Sequence, residues 1–253
     1  MNIVILGLLC GVCFRCFGFG GGFFLVPALF ETTNEVNSPL DMLSTIQVVV
    51  IVMLVNSGIH VLPRCLKSPE KYKQVFRFTP VLFIGALAGG WLAISLGGKT
   101  LQILFIAYLL MSLLFGEAIF RHAHIFRREL PTESTCLAMV ASTAGMLGVG
   151  GSVFLVPWFY LSNNEEMKMA VELSQFCTFF IMLGSSFSAF FGMHQISFSF
   201  AWLNWLVVLV ACMQLGSFLG QFLLSYLPKW AQQIGYRCLL ATVTLGMIIK
   251  GLT

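Results

Sequence analysis

Two short stretches hold the residues whose types and spacing point to chemistry. They are Gly18-Phe19-Gly20-Gly21-Gly22-Phe23-Phe24-Leu25-Val26-Pro27 and Gly148-Val149-Gly150-Gly151-Ser152-Val153-Phe154-Leu155-Val156-Pro157. Each lies inside an apolar run, where glycine is a poor helix former and a cluster of it marks a turn. A turn surrounded by lipid leaves N–H and C=O groups unpaired at several kcal/mol each, so it persists only where protein or water encloses it. The helix that restarts after such a turn opens with N–H groups that have no carbonyl four residues behind them. Those groups and the helix dipole attract negative charge. Gly20, Gly21, Gly22 and Phe23 in the first stretch are therefore candidate anion-binding positions, and Gly150, Gly151, Ser152 and Val153 in the second. The competing use of these glycines is close helix contact of the GxxxG kind. Packing alone does not require adjacent glycines followed both times by Leu-Val-Pro.

Three further side chains belong to the candidate set. Gln47 and Gln175 hold matching places in the second and sixth apolar segments, and each amide can donate N–H bonds to an oxyanion. Ser44, Thr45 and Ser174 lie within a turn of them. Hydrogen bonding between helices is the plainer role for all of these. Arg15 lies shortly before Gly18, on the approach to the break. A charge deep in a membrane helix costs roughly 2.5–3.5 kcal/mol on insertion scales, so it has a function or a partner. It either neutralises the anion, or snorkels, or pairs with Glu117 or Glu172. Those two carboxylates are also candidate proton carriers. Asn56-Ser57 and Ser185-Ser186 are weaker candidates at near-equivalent positions.

Other chemistries lack their residues. The chain has 8 cysteines; Cys10, Cys13 and Cys16 form C-x2-C-x2-C, without the fourth ligand of an iron–sulfur run. No disulfide framework, metal site or cofactor site is expected. His122 and His124 lack further ligands. A membrane-embedded enzyme would need clustered His, Asp or Glu, or a Ser–His pair, within the bilayer; no catalytic residue is assigned.

The elements that must position these residues follow from composition. The chain has 253 residues, 58% hydrophobic and only 9% charged, where a soluble domain carries about a quarter charged. Apolar runs long enough to cross a bilayer recur along it. The expected fold is all-α and polytopic, in a cell membrane, in contact with lipid, and retained there rather than cleaved at its N-terminus. Eight segments are expected, at about 2–30, 42–63, 75–97, 101–120, 135–161, 169–193, 198–227 and 231–252. Pro63 and Pro69 should close the second, and Gly97-Gly98 should separate the third from the fourth. Of the 14 basic residues, Arg64, Lys67, Lys71, Lys73 and Arg77 fall in one loop and Arg121, Arg127 and Arg128 in another. The positive-inside rule puts both loops in the cytoplasm and the acidic stretch with Glu31, Glu35 and Asp41 outside. Nucleic acid is not an expected partner.

The glycine stretches also mark an internal duplication. Gly18, Gly20, Gly21, Phe24 and Leu25-Val26-Pro27 recur in the same order and spacing as Gly148, Gly150, Gly151, Phe154 and Leu155-Val156-Pro157. Gly85 and Gly89 recur, at nearly the same offset, as Gly216 and Gly220. Two tandem four-segment repeats are expected, 1–125 and 126–253, broken at 18–22 and 148–152. Such repeats are common in secondary transporters. If the broken segments cross the membrane, there are eight spans and the halves are parallel. If they are re-entrant, each half crosses three times and the halves are inverted.

The pattern GxGGGxxxVP, with its second copy, resembles the TauE/SafE sulfite exporter family, also called the 4-toluene sulfonate uptake permease family. The first copy matches in full and the second departs at Ser152. The resemblance covers nearly the whole chain. It implies transport of a small anion such as sulfite, a sulfonate or a related organosulfur compound, in the cytoplasmic membrane of a bacterium. With no Walker motif, the expected machine is a secondary carrier with alternating access, drawing on an ion gradient of protons or sodium. An anion channel, or a structural membrane subunit without transport, is the alternative.

Overall fold

A computed structural model describes residues 3–17, 21–34, 41–112, 133–162, 167–192 and 200–226, with 238, 241, 242 and 244–247. Every element among them is helical. The first two are α1 (Ile3–Phe17) and α2 (Gly22–Asn34), of 15 and 13 residues. At 1.5 Å per residue neither exceeds about 23 Å, short of a hydrocarbon core of about 30 Å. Next come α3 (Met42–Lys67), α4 (Thr79–Leu96) and α5 (Gly98–Ser112). The second broken segment gives α6 (Glu133–Leu147) and α7 (Ser152–Ser162). Then follow α8 (Met167–Gly192) and α9 (Phe200–Tyr226). Most of the expected last segment, 231–252, lies outside the described residues.

Among the described residues, four helical stretches are long and apolar enough to cross a membrane: Met42–Lys67, Thr79–Leu96, Met169–Phe191 and Leu206–Leu223. Two thirds (67%) of the apolar window in α3 and α8 is buried in protein, against 28% in α4 and α9. Of these four, α3 and α8 are central and α4 and α9 face outward. Large apolar side chains such as Phe190, Ile103 and Met139 are exposed. An exposed apolar surface of this extent marks contact with lipid. The chain is a polytopic helical membrane protein.

Local sequence accounts for several ends. Asp41 caps α3 by accepting from Met42 N–H at 2.7 Å. A Cβ at Gly98, the first residue of α5, would meet the Asp41 carboxylate and push it from its capping position. Gly97 has φ +74°, the left-handed conformation that lets α4 stop and α5 begin. One boundary differs from expectation. Pro63 lies inside α3, which runs on to Lys67. Its missing N–H weakens the final turn. Arg64 holds that turn, its carbonyl accepting from Ser68 N–H at 3.0 Å and its side chain bonding to α8.

Glycines set the closest helix approaches. A Cβ on Gly216 would collide with Leu8 O, and one on Gly220 would meet Val12 O at 3.0 Å. On the other side of the protein a Cβ on Gly85 would meet Ala138 O at 2.8 Å, and one on Gly89 would collide with Ser142 O. So α1 packs on α9, and α6 on α4, through small residues that bring backbones together.

The two central helices run antiparallel. Arg64 near the end of α3 bonds to Gln175 near the start of α8, at 3.1 Å. Gly58 lies against Phe179. Gln47 shares a small cavity with Ser185, Ser188 and Ala189. Numbers rise along one helix as they fall along the other.

Candidate anion site at the helix breaks

The second break holds three glycines in a conformation other residues avoid. Gly148, Gly150 and Gly151 have φ +69°, +79° and +69°. Left-handed backbone costs an ordinary residue roughly 1–2 kcal/mol. Three such residues in so short a stretch therefore need glycine. The turn is tied down: Val149 N–H donates to Ala144 O at 3.1 Å, and Thr178 Oγ1 donates to Gly150 O at 2.8 Å. Ser185 Oγ likewise reaches Gly145 O at 2.8 Å, just before the break.

Both following helices begin in the same way. Phe24 and Leu25 donate to Gly21 O, at 3.2 and 2.8 Å. Phe154 and Leu155 donate to Gly151 O, both at 3.1 Å. The N–H groups of Gly22 and Phe23, and of Ser152 and Val153, thus lie ahead of each intrahelical ladder.

The two breaks meet. A Cβ on Gly22 would collide with Gly148 O and would lie 3.1 Å from Val149 Cα. Gly148 in turn lies against Ile46 and Val50 of α3. The starts of α2 and α7 therefore share one region, on the wall formed by α3 and α8. This contact also explains the departure at Ser152. Ser152 is fully buried in the first turn of α7, an ordinary helical position that accepts a side chain. Its mate Gly22 faces the carbonyl of the other break and has no room for one.

The candidate residues are placed as follows. Gly20, with Gly18 and Phe19, lies outside the described residues. Gly21 is buried and has some room, since a Cβ would come no nearer than 3.4 Å, to Cys10 O. Phe23 is buried, and Val153 is 7% exposed. Gln47 lines a cavity bounded by α3, α4, α6 and α8, whose free volume of about 10 Å³ is near that of one water. Gln175 is buried; Oε1 accepts from Arg64, and Nε2 has no partner. Arg15 extends toward α9. Its Nη2 donates to Gln221 Oε1 of α9 at 3.4 Å.

Sequence reasoning missed Thr178 as the tether of the second break and Arg64 as a partner inside the protein. The second had a readable signal. Asn56, His60 and Arg64 recur at helical i, i+4 spacing, one face of a helix that continues past Pro63.

Residues 3–250 match the family described as sulfite exporter TauE/SafE. The chain belongs to the TauE/SafE family. It is 24% identical over 261 residues to a protein of Haemophilus influenzae named "Probable membrane transporter protein", the alignment covering 98% of this chain and 97% of that one. No solved structure matches significantly. This TauE/SafE protein is a membrane transporter rather than an enzyme, and its family implies an anionic solute.

Proposed function

We propose that this protein is a secondary carrier of a small oxyanion, sulfite, a sulfonate or a related organosulfur anion. The anion is bound where α2 and α7 begin and is moved by alternating access. One observation carries this reading: the contact of Gly22 with Gly148 brings both helix starts to one place. Two positive dipole ends and the N–H groups ahead of each ladder then bear on the same solute. Gln47 approaches from α3, beside the Ile46 and Val50 that Gly148 rests against.

The repeats enter the same proposal. At the offset that relates the two glycine clusters, Leu8 and Val12 have mates at Ala138 and Ser142. Gly85 and Gly89 have mates at Gly216 and Gly220. On this division the two glycine-mediated pairs, α1–α9 and α6–α4, are copies of one contact. The antiparallel α3 and α8 are then mates inverted in the membrane. That orientation favours re-entrant broken segments with three crossings in each half. The division falls at 1–125 and 126–253.

The breaks are closed against each other here, and the neighbouring cavity holds no more than about one water. A carrier in an occluded conformation fits these facts; an open channel does not. The contact between breaks also favours a second reading, in which the glycines serve only packing.

Proteoliposomes carrying the wild type and Gly151→Val separate the two readings. On the carrier reading the wild type takes up sulfite, and the variant inserts but loses uptake. Undiminished uptake by Gly151→Val would leave the glycines a packing role. Thermal stabilisation by sulfite, thiosulfate, sulfoacetate, taurine and sulfate then ranks the solutes.

A further inference from the structure

One end of the α3–α8 contact carries polar groups that the helix breaks do not use. Asn56, His60 and Arg64 share a face of α3. Gln214 of α9 donates to Asn56 Oδ1 at 2.8 Å, Phe14 of α1 stacks on His60, and Arg64 donates to Gln175 Oε1. These contacts leave donors over. Gln175 Nε2 and Ser174 Oγ have no partner, although Gln175 is 1% exposed and Ser174 is fully buried. An unsatisfied buried donor costs about 1–3 kcal/mol, so the Gln175 amide, whose oxygen already binds a guanidinium, calls for an acceptor. The guanidinium has five N–H donors, and Gln175 is its one side-chain partner among the described residues.

We infer that Arg64 and Gln175, with Ser174 next to them in the chain, form a station for one small oxyanion at the basic-loop end of the α3–α8 contact, one turn of α8 before the Thr178 tether of the second break. A guanidinium and a primary amide supply charge and N–H donors, the set an oxyanion requires. A cation would meet repulsion from Arg64. The station has a cover. Tyr72 stacks on Phe176 and Phe76 meets it edge-on, each with ring centroids 5.0 Å apart, which lays the Pro69–Phe76 turns over α8 beside Gln175. Two carboxylates lie at this end, Glu70 in the covering turn and Glu172 of α8. Glu172 is the one felt by the cover's tyrosine. It acts on the Tyr72 phenol, which burial first and Glu172 second push above its usual range while Arg64 opposes them. The station is also one-sided. Gln47, the mate of Gln175, sits at the opposite end among serines. At the offset that relates those two glutamines, the mate of Arg64 is Gly192, which has no charge to offer. The inference rests on the anion-carrier reading and adds to it a loading point on the basic-loop side.

The test is sulfite binding by the purified full-length protein, with uptake in proteoliposomes alongside. Gln175→Glu keeps the acceptor for Arg64 and strengthens that bond with charge, so the fold should hold and its thermal midpoint should match the wild type or exceed it. A carboxylate in place of the free amide repels the anion. Sulfite affinity should fall at least tenfold. Ser174→Ala should lower it at most two- to fivefold, and Lys99→Gln, an exposed charge beside Gly98 at the other end of α3, should leave it unchanged. If Gln175→Glu folds and binds sulfite as the wild type does, the station is refuted while the carrier stands. If the wild type neither binds nor transports any of the five anions named above, the carrier reading fails and the station with it.

Discussion

Gly21 and Gly151 are mates in sequence but not in what surrounds them. Gly151 has a left-handed backbone, and a Cβ there would press on Ala144 at 3.1 Å. Gly21 has neither constraint. Gly151→Ala should therefore cost about 1–3 kcal/mol, the usual cost of a strained backbone position, and Gly21→Ala clearly less. Thermal unfolding of the purified protein would show the difference as a lower midpoint for the first variant only. Thr178→Val keeps the shape but removes the bond to Gly150 O and leaves a buried carbonyl short of a donor. It should cost about 1–3 kcal/mol, read from the same unfolding curves. The glycine clusters were legible in sequence because their chemistry is local: only glycine turns this way. The directions taken by Arg15 and Gln175 were not. Their partners, Gln221 and Arg64, are remote from them along the chain, and no local pattern reports which helices will touch.

At the level of helices, the turn at Gly148–Gly151 and the stop at Gly97-Gly98 were legible from composition. The extension of α3 past Pro63 was not, because tertiary contacts of Arg64 hold the last turn against proline's penalty. The repeated Gly-x3-Gly of α4 and α9 was visible as a pattern, but its purpose depends on which helix lies opposite. Those glycines let α6 and α1 approach to backbone contact. Gly89→Val and Gly220→Val should each wedge apart one such pair, by a side chain driven into Ser142 O or Val12 O. If the two contacts are copies, both variants should lose folded yield and thermal midpoint to a similar degree, a comparison that size-exclusion profiles and melting curves decide. An effect in one pair alone would argue that the contacts are not equivalent.

For the molecule as a whole, the sequence left two topologies open, since the basic loops fit either. If α3 and α8 are repeat mates, as proposed, their antiparallel course favours the inverted topology, and that course follows from contacts between residues far apart in the chain. With the basic loops in the cytoplasm, inverted halves put the C-terminus outside, and eight spans would put it inside. A reporter fused there, active only on one side of the membrane, should report the outer face. The exchanged pairing of α1 with α9 and α6 with α4 carries a further consequence. On the proposed division into inverted halves, each half reserves the glycine face of one of its long helices for the broken helix of the other, so neither half is satisfied alone. On that reading an ancestor of half this length would have had to insert in both orientations and join an upside-down twin before it could close its own surface.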